Sequence, residues 1–194
     1  MIVDHDSDDG SDQRGNAEGE PPEPPSPAAA ISRDVSETPS ISVDSESAVD
    51  VEREVAEWLA DGLTEAISVA RPAGGRRERV LGISVRILGD RSMARAHRRW
   101  CDVEGTTDVL TFASAEPEGL HIDLMLCIDE ARRRAEEFGH DERRELLLYA
   151  VHGLLHGLGH DDQDAEAFAS MHDEEDRILR QIGVGSVFRP EGAS

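Results

Sequence analysis

Residues 141–162 read DERRELLLYAVHGLLHGLGHDD. Asp141 is a good helix N-cap, and Leu146, Leu147, Ala150, Val151, Leu154 and Leu155 recur at helical spacing as a wide apolar stripe. Gly157 and Gly159 stand where that helix should continue. Glycine is costly inside a helix but favoured in the left-handed residue that closes one, so the pattern predicts a core helix that ends near Gly157 and turns back. His152 and His156 are four residues apart and project from the same face, one turn from each other, at a separation suited to sharing one metal ion.

The turn can bring His160, Asp161 or Asp162 to that ion as a third ligand. Three protein ligands with one open coordination position are the arrangement of a catalytic rather than a structural zinc. The spacing His-x3-His-x2-Gly-x2-Asp favours Asp162. If the helix ran on through the glycines instead, His160 would be the ligand, but three ligands along a straight helix then span about 12 Å, too far to converge on one ion. The expected set is therefore His152, His156 and Asp162 around zinc, with iron, manganese or nickel also compatible with an oxygen ligand. The pattern is similar to the zincin motif His-Glu-x-x-His, except that Gly153 stands where those peptidases place their general base. Peptidase chemistry by that route is disfavoured, and attack on a phosphodiester fits better.

Outward from this motif, the chain alternates strands and helices. Ile41-Ser42-Val43 reads as a short edge strand, residues 49–69 as a helix, and Val80 to Leu88 as a strand with Val85 and Ile87 on one face and Arg86 on the other. Asp90 is expected to cap a helix over 91–100. Thr107 to Phe112 and Ile122 to Ile128 read as strands, and Asp129 as the cap of a helix over 130–138 stopped by Gly139. A last helix over 163–182 is expected to bury Phe168, Met171, Ile178 and Leu179. The sum is an α+β domain, a small mixed β-sheet packed with helices, with the metal site at the end of a core helix.

The chain has 194 residues and a formal net charge of -22. Residues 1–50 hold 13 of the 42 acids, six of the nine prolines, and only Arg14 and Arg33 as bases. Such a segment cannot bury enough apolar area to offset its ordering entropy, so residues 1–40 are expected to be a disordered acidic, Pro-rich tail. Residues 41–185 then form a single domain, and 186–194 a C-terminal tail. The folded part is acidic too, which argues against passive attraction to phosphates and requires any nucleic-acid contact to use local cations. All 20 bases are arginine. No signal peptide or membrane span is apparent, and Cys101 and Cys127 make no disulfide framework, so a cytoplasmic location is expected. Cys101 reads as a small packed residue.

His152-Gly153-Leu154-Leu155-His156-x-x-Gly159-x-Asp161 resembles the signature of the YbeY family, bacterial metal-dependent endoribonucleases of ribosome maturation. Thr107-Asp108-Val109-Leu110-Thr111-Phe112 is similar to the family's Thr-Asp-Val-Leu-Ser-Phe strand, and Val85 to Asp90, Asp123-Leu124 and the helix from Met171 to Leu179 follow in matching order. The resemblance covers about residues 40–182. It implies zinc at the end of a core helix, cleavage of single-stranded RNA, and a part in small-subunit (16S) ribosomal RNA 3'-end maturation and ribosome quality control. The implied partners are ribosomal RNA, the small ribosomal subunit and ribosome-associated proteins. Two departures stand out: the family usually has a third histidine where this chain has Asp162, and an arginine where Cys101 follows Trp100.

Arg91, Arg95, Arg98 and Arg99 recur at helical spacing, which makes Arg98 and Arg99 the candidate RNA contacts; a solvated, ion-paired face is the competing reading. Arg132-Arg133-Arg134 reads as a solvated helix face. The leading expectation is a metallo-endoribonuclease whose nucleophile is a water on the ion or an RNA hydroxyl, with no residue assigned as general acid or base. The alternative is a zinc-stabilised ribosome assembly or binding factor that cuts nothing, and a third possibility is hydrolysis of small esters.

Overall fold

A computed structural model of the protein describes residues 38–75 and 79–185. Residues 1–37 of the acidic tail and the C-terminal segment 186–194 lie outside the described residues. Four strands, β1 (Ser40–Ser45), β2 (Val80–Leu88), β3 (Val109–Glu116) and β4 (Gly119–Cys127), form one sheet in the order β1-β2-β4-β3. β1, β2 and β4 run parallel, and β3 returns antiparallel to β4 as a hairpin. The helices are α1 (Arg53–Val69), α2 (Asp90–Cys101), α3 (Ile128–Phe138), α4 (Glu142–Gly157) and α5 (Ala165–Gln181). This is the mixed sheet and α+β class expected from the periodicities.

Alternation along β4 divides the interior in two. Leu120, Ile122, Leu124 and Leu126 point into a large core shared with α1, α4 and α5, whereas Met125 and Cys127 point to the opposite face, where Met93 and Ala96 of α2 close a smaller core. Trp100 completes that second layer by meeting Phe112 of β3 edge to face, with ring centroids 5.5 Å apart. Cys101 packs at the margin of the same layer, and burial pushes its thiol up, as befits a packed residue.

Helix α4 is buried along most of its length. It lies against β3 and β4 through glycine: a Cβ on Gly153 would stand 2.7 Å from Leu124 Cδ2 and 2.9 Å from Thr111 Oγ1, and one on Gly157 would stand 2.6 Å from Ile122 Cδ1. Gly153 therefore faces the sheet. No glutamate at that position could reach the histidine face, which is the structural counterpart of the missing zincin base.

Several helix ends are set by tertiary contacts that local patterns did not reveal. Asp90 is the first residue of α2 rather than its cap. Its backbone N–H donates to Asp129 Oδ2 at 2.9 Å, Gly89 N–H donates to Glu46 Oε1 at 2.8 Å, and the Asp90 carboxylate is taken by Arg133. Asp129 likewise lies within α3, not at its cap. The first helix starts at Arg53 rather than near 49, because Val49 N–H closes a turn onto the Glu46 carbonyl. By contrast Asp141 accepts from Arg143 N–H as a true cap, and Gly139 ends α3 at φ 71°.

Phe168 departs from expectation most. Its spacing predicts the buried face of the last helix, but it is 50% exposed, while Met171, Ile178 and Leu179 are buried. Its ring meets His172 at the rim of a cavity instead of entering the core.

Gly153→Ala tests the close approach of α4 to the sheet. Alanine gains about 1 kcal/mol of helix propensity over glycine, whereas overpacking a dense core costs about 1–3 kcal/mol. The expected result is a lower midpoint of thermal unfolding; a higher midpoint would contradict the tight contact.

Candidate metal centre

Helix α4 closes through a Schellman turn. Gly159 N–H donates to the His156 carbonyl at 2.9 Å and His160 N–H to the Leu155 carbonyl at 3.0 Å, with Gly159 at φ 87°. The reversal carries Asp162 back over the histidines. His152 Nε2 and His156 Nε2 are 3.1 Å apart, and Asp162 Oδ2 is 3.7 Å from each. Among the described residues, these three side chains form the one cluster of possible ligands whose donor atoms converge. His160, the competing candidate, is turned away, with Nε2 donating to the Arg71 carbonyl at 2.6 Å.

The hydrogen bonds behind the histidines fix their tautomers. His152 Nδ1 lies 2.6 Å from Glu175 Oε1, and His156 Nδ1 lies 3.1 Å from the His160 carbonyl. Both partners are acceptors, so both Nδ1 atoms carry the proton and both Nε2 atoms present lone pairs. Two lone pairs held 3.1 Å apart beside a carboxylate repel one another unless a cation lies between them. Ligands about 2.1 Å from an ion are separated by about 3.4 Å at tetrahedral angles and about 3.0 Å at right angles. Separations of 3.1, 3.7 and 3.7 Å fit the former better, so the residues present fit a metal ion.

Electrostatics favour the same state. Burial pushes the His156 imidazole below its ordinary value, and the neighbouring His152 adds to the effect, which keeps the ring neutral as a ligand must be. Glu175 is completely buried. Burial alone would raise its carboxyl, but hydrogen bonds from His152 and His172 outweigh it and hold the group below the usual carboxylate range. His172 Nδ1 lies 2.6 Å from Glu175 Oε2, and this bond raises the His172 imidazole. Glu175 thus joins His152 to a second histidine outside the converging cluster.

The three converging side chains lie in an open cavity of about 1020 Å³. Its floor continues the histidine stripe of α4 backward through Tyr149 and Glu145, at the same helical spacing. Glu145 Oε1 meets His140 Nε2 at 2.9 Å, and burial raises the Glu145 carboxyl. Arg134 and Phe138 of α3 and Phe168 and His172 of α5 line the cavity as well.

Arg98 and Arg99 are not among the lining residues. Arg98 pairs with Glu104 at 2.9 Å, and the Arg99 guanidinium lies over the Trp100 ring. The cation brought to the cavity is Arg134, from the run read as a solvated face, where it also pairs with Glu137 and Glu130. Glu175 escaped sequence reasoning because it sits in Asp173-Glu174-Glu175-Asp176, where nothing local separates a buried carboxylate from solvated ones. The one available signal was its spacing of three from His172.

Residues 42–183 match the sequence profile of the family described as Endoribonuclease YbeY. The chain belongs to the YbeY family. An Endoribonuclease YbeY from Mycobacterium ulcerans is 33% identical over 156 residues, which is 73% of this chain and 82% of that protein. One from Frankia alni is 36% identical over 110 residues, half of this chain and 61% of that protein. A solution structure of a Thermotoga maritima protein superposes with a TM-score of 0.45 at 21% identity, over 79% of this chain and 99% of the other. The YbeY match takes in the last four residues of β1, every other strand and helix described above, and all three converging side chains.

Chelator competition with zinc checks the ligand set. Glu175→Gln should weaken binding by about 10–100-fold, the usual effect of losing a partner behind a ligand. Asp162→Ala should cost at least as much, and His160→Ala almost nothing; the reverse order would reinstate His160.

A pH series on metal-free protein checks the buried pair. Glu175 is lowered on folding, so its contribution is full above the unfolded carboxylate value and lost as pH falls through the folded one. His172 is raised, so its contribution is full below the unfolded imidazole value and lost as pH rises through the folded one. The difference in Tm between wild type and Glu175→Gln should be largest between about pH 4.3 and about pH 6.5 and shrink on both sides.

Proposed function

We propose that this protein is a zinc-dependent endoribonuclease that cuts single-stranded RNA, acting in 16S ribosomal RNA 3'-end maturation and in ribosome quality control. Membership of a family named for endoribonuclease activity supports RNA cleavage. The ribosomal role is an expectation of the family resemblance and makes ribosomal RNA and the small subunit the partners, in the cytoplasm. No helix among the described residues is long and apolar enough to cross a membrane.

The observation that carries the reading is the convergence of two Nε2 lone pairs and the Asp162 carboxylate on one point in an open cavity. His152, His156 and Asp162 would hold the zinc, which would supply Lewis acidity for a phosphoryl oxygen and for water near neutral pH. His152 and His156 serve as ligands with their remaining protons committed to Glu175 and to the His160 carbonyl, so neither is free to exchange protons with substrate. Glu175 is sealed from solvent and fixes the His152 ring. Arg134 is the arginine beside the site, suited to meeting a phosphate.

The test is cleavage of a single-stranded RNA carrying the small-subunit 3' precursor end, by zinc-loaded protein, chelated protein and a His156→Ala variant. Cleavage by the loaded wild type alone is expected. No cleavage by any sample, with metal bound and the fold intact, would favour a zinc-stabilised assembly factor.

A further inference from the structure

The three large apolar side chains left exposed among the described residues are Val103, Phe138 and Phe168. Both phenylalanines line the metal cavity. They come from different walls: Phe138 is the last residue of α3 and Phe168 lies in the first turn of α5, with the histidines of α4 on the floor. A single exposed phenylalanine needs no explanation. Two from separate helices at one ligand cluster do.

Each ring is propped from behind and keeps open surface. Phe138 is 60% exposed and lies parallel to His140 at 6.2 Å, within reach of the Arg134 guanidinium. Phe168 is 50% exposed and meets His172 perpendicularly at 4.1 Å. His172 is itself anchored on the buried Glu175. These contacts hold the rings in place while leaving area for a planar ligand.

The charge around them limits what that ligand's affinity can come from. The cavity carries Asp108, Glu130, Glu145 and Asp161, and Arg134, its one arginine among the described residues, is already paired with acids. Phosphate contacts, the usual source of nucleic-acid affinity, are scarce here. Stacking of bases on aromatic rings needs no positive charge and tolerates any base. Building on the RNA-cleaving function proposed above, we infer that Phe138 and Phe168 are stacking platforms that bind unpaired bases on either side of the scissile phosphate.

The test uses zinc-loaded full-length protein and a single-stranded RNA oligonucleotide, intact or made abasic next to the cleavage position. Phe138→Leu and Phe168→Leu keep the apolar bulk and remove the ring; Phe→Tyr at each position keeps it. Each leucine variant should raise KM by about fivefold or more, with the loss in KM rather than kcat, and each tyrosine variant should stay near wild type. The abasic oligonucleotide should lose affinity for wild type and lose less for the leucine variants. Binding should also weaken little with salt, with a log–log slope below about 2.

Cleavage by the leucine variants with unchanged KM, or an abasic penalty equal in wild type and variants, would overturn the inference while leaving the nuclease intact. A wild type that neither binds nor cuts the intact oligonucleotide would remove the RNA function itself, a failure visible before any substitution is made. Equal Tm for wild type and variants is expected from half-exposed positions and confirms that a KM change is not unfolding.

Discussion

Helix α4 can present a convergent cluster of metal-ligating side chains only because it lies in close contact with the sheet. Gly153 and Gly157, one turn apart, let the helix settle onto Leu124, Thr111 and Ile122 with no room for even a methyl group. That seating fixes the rotation of the helix, so His152 and His156 must point into the cavity while the apolar stripe fills the core. The residues needed for packing and those needed for chemistry share one rigid element. Precision at the site follows, because a ligand on a buried helix moves less than one on a loop.

The rest of the site is brought to that helix by two other segments. The Schellman turn at Gly159 sends the chain back and sets Asp162 over the histidines. Helix α5 then delivers Glu175, which spans His152 and His172 from a position with no exposure to solvent. A buried carboxylate is expensive unless it is fully bonded. Here the bonding partners are His152 of the converging cluster and His172 of the cavity wall, so the bonds that offset the cost of burial also order the site.

The charge of the chain gives this site an unusual character. A protein with 42 acidic residues and 20 arginines offers a poor field for a polyanion, and Arg134, the one arginine lining the cavity among the described residues, is already engaged by acids. Recognition that relies on exposed rings, one arginine and a metal ion reconciles an acidic fold with a phosphodiester substrate. It also discourages indiscriminate association with structured RNA, whose bases are already stacked on one another.

The sequence alone determined the α+β class, the core helix and its end at Gly157, the histidine pair and the turn that follows, because each depends on contacts between residues close in the chain: helical spacing, capping and glycine conformations. It also favoured Asp162 over His160 as the partner of the pair, and the structure places the carboxylate there while the Arg71 carbonyl draws His160 away. Tertiary structure alone decided which side of each outer helix is covered. Phe168 has the spacing of a core residue yet stands at a rim, Arg134 looks like any surface arginine yet lines the cavity, and Glu175 looks like any acid of an acidic helix yet is the most buried one. Periodicity defines faces of a helix relative to its own axis; what packs on each face is set by elements distant in sequence, and no local pattern records it.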